Sequence, residues 1–74
     1  MDGPLRNHIK VERARRNLTQ EQLAMLAGVT RKTINTIETG RFVPSTVLAL
    51  KLARVFGVAV EELFELEDVS ATSE

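Results

Sequence analysis

The chain has 74 residues, no cysteine, and ten basic against ten acidic residues, so its formal net charge is zero. This length predicts one domain, and the lack of cysteine excludes disulfides and thiolate metal sites. With His8 as the only histidine, no nucleophile–base pair and no metal site can be assembled, so we expect no enzyme activity, cofactor or metal. No signal-peptide pattern and no apolar run of membrane length occurs, which predicts a cytoplasmic protein without membrane contact.

The charges are divided unevenly along the chain. Residues 1–54 hold ten basic and four acidic residues, a net charge of +6, and the six remaining acids give residues 55–74 a net charge of −6. Such asymmetry is typical of a protein with one side facing a polyanion. An ordinary solvated surface with an acidic tail explains the same pattern, and charge alone leaves both interpretations open.

Apolar residues recur with the helical period over most of the chain, which indicates an all-α fold. Leu5, Ile9 and Arg13 share one face of a first predicted helix that ends near Asn17. Thr19 and Gln22 then have the spacing of a capping box, in which each side chain bonds to the other residue's amide. This box marks the start of a second helix, whose expected buried residues are Leu23, Ala24, Leu26 and Ala27.

A tight connection follows the second helix. Gly28 predicts a left-handed helix end, and Thr30 predicts the N-cap of a third helix with Ile34 and Ile37 facing inward and Gly40 at its end. Two short helices joined by about three residues that include glycine form a helix-turn-helix. In that unit the second helix offers its N-terminal residues to the major groove of DNA.

The last third of the chain predicts two more helices. Pro44–Ser45 opens a fourth helix that ends at Gly57, with an apolar stripe of Leu48, Leu52, Ala53 and Phe56. A short fifth helix covers about 60–64, and the alternation in 64–67 is typical of a half-buried strand that pairs near Leu5 or lies in a dimer interface. Residues 1–68 are therefore assigned to the helix-turn-helix domain and 69–74 to a disordered tail.

Polar side chains of the second and third helices are the candidate DNA contacts. Arg31 and Lys32 are long enough to reach guanine O6 and N7, and Asn35 can pair with adenine. Thr36 can contact a thymine methyl group or a phosphate. The full predicted set is Thr19, Gln20, Thr30, Arg31, Lys32, Thr33, Asn35, Thr36 and Arg41.

Two helix N-termini are expected to hold the DNA backbone, since free amides and the helix dipole attract phosphate there. They begin at Thr19–Gln20 and at Thr30–Arg31. Gln20 can also contact adenine or steady a side chain of the recognition helix. Arg41, just past the third helix, is placed for a phosphate.

At these residues the chain resembles a known family, the Cro/C1-type helix-turn-helix (XRE) transcriptional regulators. The segment LTQEQLAMLAGVTRKTINTIETGRFVPS at 18–45 follows that family's pattern nearly position by position, and short stand-alone members resemble it again at 44–53 and 57–64. The resemblance implies a five-helix, lambda-repressor-like domain with a short strand after the fifth helix. It also implies a homodimer that binds a palindromic operator in double-stranded DNA, most often as a repressor.

The resemblance further implies an ion pair between Arg13 and Glu38, which ties the recognition helix to the first helix. Two positions depart from the family. Glu12 stands where the family has leucine, and it is expected to pair with Arg16 or to join the Arg13–Glu38 pair. Ala59 stands where the family has a Ser or Thr cap, so the fifth helix is expected to depend on dimer contacts.

Several apolar residues have no predicted core role, and they either cap the core or form a contiguous dimer interface. They are Phe42, Val47, Leu50, Phe64 and Leu66. A protein-interaction module, or an antitoxin-like partner with the same fold, is the alternative function. Salt dependence separates the two, because DNA binding releases counterions and an apolar protein interface does not.

Overall fold

The computed structural model describes residues 5–67, and the predicted tail at 69–74 lies outside them. Its elements, in chain order, are β1 (Leu5–Asn7), α1 (Ile9–Arg15), α2 (Gln20–Ala27), α3 (Arg31–Glu38), α4 (Thr46–Phe56), α5 (Val60–Leu63) and β2 (Phe64–Leu66). The predicted fold class is confirmed, with five helices and one pair of short strands in the described part of the chain.

Three helices begin at the predicted caps. The hydroxyls of Thr19, Thr30 and Ser45 each accept a hydrogen bond from the amide three residues later, which satisfies one of the free donors of a helix start. Gly28 ends α2 with a φ of 75°, a left-handed conformation that costs glycine little. Its position leaves three residues between α2 and α3, so the helix-turn-helix connection is present as predicted.

One core joins all five helices and β2. Ile34 and Ile37 attach α3 to this core from one side of the helix, as the sequence predicts. The core residues are Ile9, Leu23, Ala24, Ala27, Ile34, Ile37, Leu48, Leu52, Ala53, Phe56, Leu63 and Phe64. The predicted α4 stripe is thus entirely buried.

The first helix begins later than predicted. Leu5 lies in β1, not on the stripe of α1, and β1 pairs antiparallel with β2 so that Leu5 faces Leu66. The amide of His8 donates to the carbonyl of Leu63 at 2.9 Å, which holds the chain extended until Ile9. Of the two predicted roles for residues 64–67, pairing near Leu5 is the one that the structure shows.

Two apolar residues differ in burial from the prediction. Leu26 was predicted to be buried but is 61% exposed, because the buried arc of α2 is centred on Leu23, Ala24 and Ala27 and Leu26 lies beyond its edge. Phe64 was assigned to the dimer interface but is 7% exposed. It belongs to the core of the single chain, because β2 turns back over α5 and packs Phe64 inward.

Candidate nucleic-acid interface

The third helix has one buried side and one polar, exposed side. Ile34 and Ile37 are buried, whereas Arg31, Lys32 and Asn35 are exposed. Glu38 is the only acid in residues 29–42, and Arg13 pairs with it. The exposed side of α3 therefore carries an uncompensated positive charge and an amide, which suits the phosphates and base edges of nucleic acid.

The starts of α2 and α3 are each capped by a threonine hydroxyl. Thr19 accepts from the amide of Gln22 at 3.0 Å, and Gln22 accepts from the amide of Thr19 at 2.9 Å. Thr30 accepts from the amide of Thr33 at 3.2 Å, and the two hydroxyls lie 3.1 Å apart. These bonds leave the first amides of each helix free for an anion.

The polar residues of this surface are linked to the scaffold by direct hydrogen bonds. Arg13 Nε donates to Glu38 Oε2 at 2.7 Å, and Arg13 Nη2 donates to Glu38 Oε1 at 3.1 Å. Gln20 Nε2 donates both to Glu38 Oε1 at 3.1 Å and to Asn35 Oδ1 at 3.2 Å. The structure thus places Gln20 against Asn35, one of the two arrangements expected from the sequence.

Two threonines of α3 use their hydroxyls within the helix. Thr36 Oγ1 donates to the carbonyls of Lys32 at 3.1 Å and Thr33 at 2.9 Å. The hydroxyl proton of Thr36 is therefore committed, and its methyl group and oxygen lone pairs are what it can offer to DNA. Thr33 is half-buried, and its hydroxyl lies against that of the cap residue Thr30.

Arg41 follows α3 on a short exposed segment. Its backbone amide and that of Phe42 both donate to the carbonyl of Thr36, at 2.9 and 3.1 Å. These bonds fold the chain against the end of α3, and the Arg41 side chain is exposed. The predicted DNA-contact residues therefore lie on three connected stretches: the start of α2, α3, and the residues just after α3.

One residue that supports α3 was missed from the sequence. Asn7 Nδ2 donates to the carbonyl of Ile37 at 3.0 Å, and Asn7 Oδ1 accepts from the amide of Ile9 at 3.2 Å. The second bond is local and asparagine two residues before a helix start predicts it. The first joins β1 to the end of α3, and no local signal indicates it.

A second surface of the molecule is apolar. Val47 is 63% exposed, Leu50 is 55% exposed and Leu66 is 72% exposed. Val47 and Leu50 also line an open groove of about 580 Å³ between α4 and the start of α5, together with Val58 and Val60. We call the groove with these four residues the α4–α5 groove. Lys51 and Arg54 line it as well, so it offers an apolar surface with two basic residues to a partner.

Within residues 5–67, no three His, Cys, Asp or Glu side chains come together as a metal site would require. In the same part of the chain, no helix has both the length and the apolar character needed to cross a bilayer.

The chain is similar to known proteins in both sequence and structure. A family model described as helix-turn-helix matches residues 9–63, from the start of α1 to the end of α5. An uncharacterized HTH-type transcriptional regulator of Methanocaldococcus jannaschii is 50% identical over 64 residues, which cover 86% of this chain and 97% of that protein.

Two solved structures have the same fold. The restriction-modification controller protein C.AhdI from Aeromonas hydrophila is 35% identical with a TM-score of 0.72, and the match covers 77% of this chain and 86% of that one. The SOS-response transcriptional repressor LexA from Eubacterium rectale is 25% identical with a TM-score of 0.73, and the match covers 85% of this chain and 67% of that one.

Proposed function

Because this chain belongs to the Cro/C1-type helix-turn-helix family of transcriptional regulators, we propose that it represses transcription by binding a palindromic operator as a homodimer. Members of this family are DNA-binding regulators and not enzymes.

The two-sided character of α3 carries the proposal. Its apolar side is anchored by Ile34 and Ile37, and its opposite side exposes Arg31, Lys32 and Asn35. A helix of this kind, at the second position of a helix-turn-helix, fits the major groove with its N-terminal residues toward the base edges. Arg31 and Lys32 then donate to guanine, and Asn35 contacts a neighbouring base.

Phosphate contacts supply the rest of the interface. The free amides at the start of α2, after Thr19, and at the start of α3, after Thr30, bind phosphates on the two sides of the groove. The backbone amide of Gln20 belongs to this set, Arg41 extends the contacts, and Thr33 and Thr36 border them. Phosphate contacts of this kind hold the register of the protein, while the base contacts of α3 select the site.

The α4–α5 groove supports the homodimer. Val47 and Leu50 are more than half exposed, although a small domain gains stability when such residues are covered. A two-fold dimer is the commonest closed assembly, and two α3 helices about 34 Å apart read half-sites about one DNA turn apart. Phe42 and Leu66 are also exposed and are further candidates for this interface. Phe64 is not part of it.

Steric exclusion of polymerase and one similar structure support repression. A 74-residue chain bound to an operator that overlaps a promoter blocks polymerase by occupying the same DNA. LexA, one of the similar structures, is itself named as a repressor. The proposal places the protein in the cytoplasm.

Selection of bound sequences from a random duplex pool at near-physiological salt tests the proposal. We expect a palindromic motif with half-site centres about 10 base pairs apart. Arg31→Ala is expected to lose preference at one position of each half-site, whereas Arg15→Ala, a change on the exposed side of α1, keeps the motif. A pool with no enriched motif would contradict the proposal.

A protein-binding module remains the second candidate function, because two apolar residues of α2 are exposed outside the α4–α5 groove. Met25 is 77% exposed and Leu26 is 61% exposed. If this surface holds a protein partner and α3 does not bind DNA, binding persists as salt rises. DNA binding instead weakens steeply, because each neutralised phosphate releases counterions.

A further inference from the structure

We propose that the Glu38 carboxylate, acting through Gln20, fixes which end of the Asn35 amide faces DNA, and so sets the base that Asn35 accepts. This inference rests on the proposed function, since it concerns the recognition helix on its operator. Glu38 and Gln20 are positioning residues in this scheme. Asn35 is the residue that touches the base.

The first step is the orientation of Glu38. Arg13 donates to both of its carboxylate oxygens, at 2.7 and 3.1 Å, and the third nitrogen of Arg13 donates to the carbonyl of Leu18 at 2.9 Å. The Glu38 side chain is 7% exposed and that of Arg13 is 15% exposed. A bidentate pair with so little access to water holds the carboxylate in one position.

The second step is the orientation of Gln20. A carboxylate has no hydrogen to donate, so only the NH2 end of the Gln20 amide can face it. Gln20 Nε2 does so, at 3.1 Å from Glu38 Oε1. The reversed amide would set its oxygen against a carboxylate oxygen. Gln20 therefore has one usable orientation, and a second NH2 hydrogen remains to be donated.

The third step is the orientation of Asn35. Gln20 Nε2 gives its second hydrogen to Asn35 Oδ1 at 3.2 Å, and a reversed Asn35 would place two donors against each other. Asn35 Nδ2 is thereby turned away from Gln20, and it has no hydrogen-bond partner among residues 5–67. The exposed end of Asn35 is a donor.

A donor selects base edges that carry acceptors. In the major groove these are O6 and N7 of guanine, N7 of adenine and O4 of thymine, whereas cytosine offers only its N4 amino donor. On the strand that Asn35 faces, we therefore expect cytosine to be the excluded base. The buried ion pair of α1 and α3 thus contributes to sequence preference as well as to stability.

Two substitutions interrupt the series of hydrogen bonds from Glu38 through Gln20 to Asn35, each at a different residue. Glu38→Gln replaces the carboxylate by an amide that can present either end to Gln20, so Gln20 and Asn35 can both reverse. Gln20→Met keeps the length of the side chain and leaves the Arg13–Glu38 pair intact, but removes the link to Asn35. In both variants Asn35 is free to offer Oδ1, which accepts from cytosine N4.

The base that Asn35 contacts is first located as the operator position at which Asn35→Ala shows no base preference. Affinity is then measured for four operators that differ only in the base at this position. For the wild-type protein we expect cytosine to bind about 5- to 150-fold more weakly than the best base. In Glu38→Gln and in Gln20→Met, the operator with cytosine at that position is expected to bind about as tightly as the operator with the best base. Preferences at positions assigned to Arg31 are expected to remain.

The control separates this effect from direct contact by Gln20. In the double variant Gln20→Met/Asn35→Ala, preference at the Asn35 position is expected to match that of Asn35→Ala alone. If Glu38→Gln fails to fold, the relative affinity of Gln20→Met for the cytosine operator tests the inference alone. A cytosine penalty that persists in Gln20→Met overturns the inference while leaving the proposed function intact. A wild-type protein with no operator preference contradicts the proposed function itself.

Discussion

Glu12 is 7% exposed and occupies a position in α1 that faces the core. Arg16 Nη1 donates to Glu12 Oε1 at 2.6 Å, and Arg16 Nη2 donates to the carbonyl of Phe56 at 2.6 Å. The guanidinium also lies 5.0 Å from the centre of the Phe56 ring. The charge at this position is therefore satisfied, and through Arg16 it ties α1 to the end of α4.

This arrangement predicts a pH dependence of stability. The hydrogen bond from Arg16 lowers the pKa of Glu12 below its ordinary value of 4.5, although burial opposes the change. Because the folded pKa is the lower one, the stabilising contribution is complete above the ordinary value and is lost as pH falls through the folded pKa. We expect Glu12→Gln to reduce the urea midpoint at neutral pH and to flatten its decline in acid.

A matched control for this test is Glu21→Gln, since Glu21 is exposed and its side chain makes no hydrogen bond among the described residues. It is expected to follow the wild-type midpoint across the pH range. Parallel acid profiles for wild type and Glu12→Gln would contradict the role assigned to the Arg16 bond.

The Arg13–Glu38 pair predicts a larger effect at neutral pH. Arg13→Ala leaves a carboxylate that is 7% exposed without its charged partner, which costs about 3–5 kcal/mol of the free energy of unfolding. Lys10→Ala, an exposed change in the same helix, is expected to stay within about 0.5 kcal/mol. Urea unfolding measures the free energy of unfolding of both variants. Equal losses in Arg13→Ala and Lys10→Ala would contradict a stabilising role for the Arg13–Glu38 pair.

At the scale of elements, local signals predicted most of the fold. The caps Thr19, Thr30 and Ser45 and the stops Gly28 and Gly57 act within three or four residues, so a single sequence is enough to place them. The start of α1 was wrong because β1 exists only by pairing with β2 at the other end of the chain. The alternation in 64–67 indicated a strand and offered pairing near Leu5 as one of two roles, but the helical period at Leu5 and Ile9 extended α1 over the same residues.

In the candidate interface too, the sequence predicted the features that depend on local pattern and not those that depend on helix packing. The exposed side of α3 follows from helical period alone, so Arg31, Lys32 and Asn35 could be named in advance. The hydrogen bonds of Gln20 to both Asn35 and Glu38 depend on how α2 crosses α3, which the sequence pattern does not specify. Leu26 was misplaced for a similar reason, because α2 has apolar residues around more of its circumference than the core covers.

The fifth helix predicts a stabilising substitution. Ala59 has the extended backbone of an N-cap but no side-chain acceptor, while Glu62 Oε1 already accepts from its amide at 3.1 Å. Ala59→Ser completes the capping box and is expected to add about 1 kcal/mol to the free energy of unfolding. Ala14→Ser, in the exposed middle of α1, is expected to lose about 0.5 kcal/mol. No gain from Ala59→Ser in urea unfolding would contradict this.

At the scale of the whole molecule, the α4–α5 groove predicts how two copies assemble. Leu50→Glu places a charge in the proposed interface, and desolvating that charge opposes association. We expect this variant to sediment as a monomer at concentrations where the wild-type protein is a dimer, and to lose affinity for a two-half-site operator. Met25→Glu, an equally charged change on exposed α2, is expected to remain dimeric. Unchanged sedimentation of Leu50→Glu would place the interface elsewhere.

Sequence-specific binding by α3 is the central claim, and affinity for the selected operator against a scrambled duplex of equal length tests it most directly. Near physiological salt we expect the operator to be preferred by about a thousandfold or more, and Asn35→Ala to reduce that preference. Affinity for the scrambled duplex is expected to fall steeply as salt rises. Equal affinity for both duplexes, unchanged by Asn35→Ala, would contradict a role for α3 in reading the base sequence.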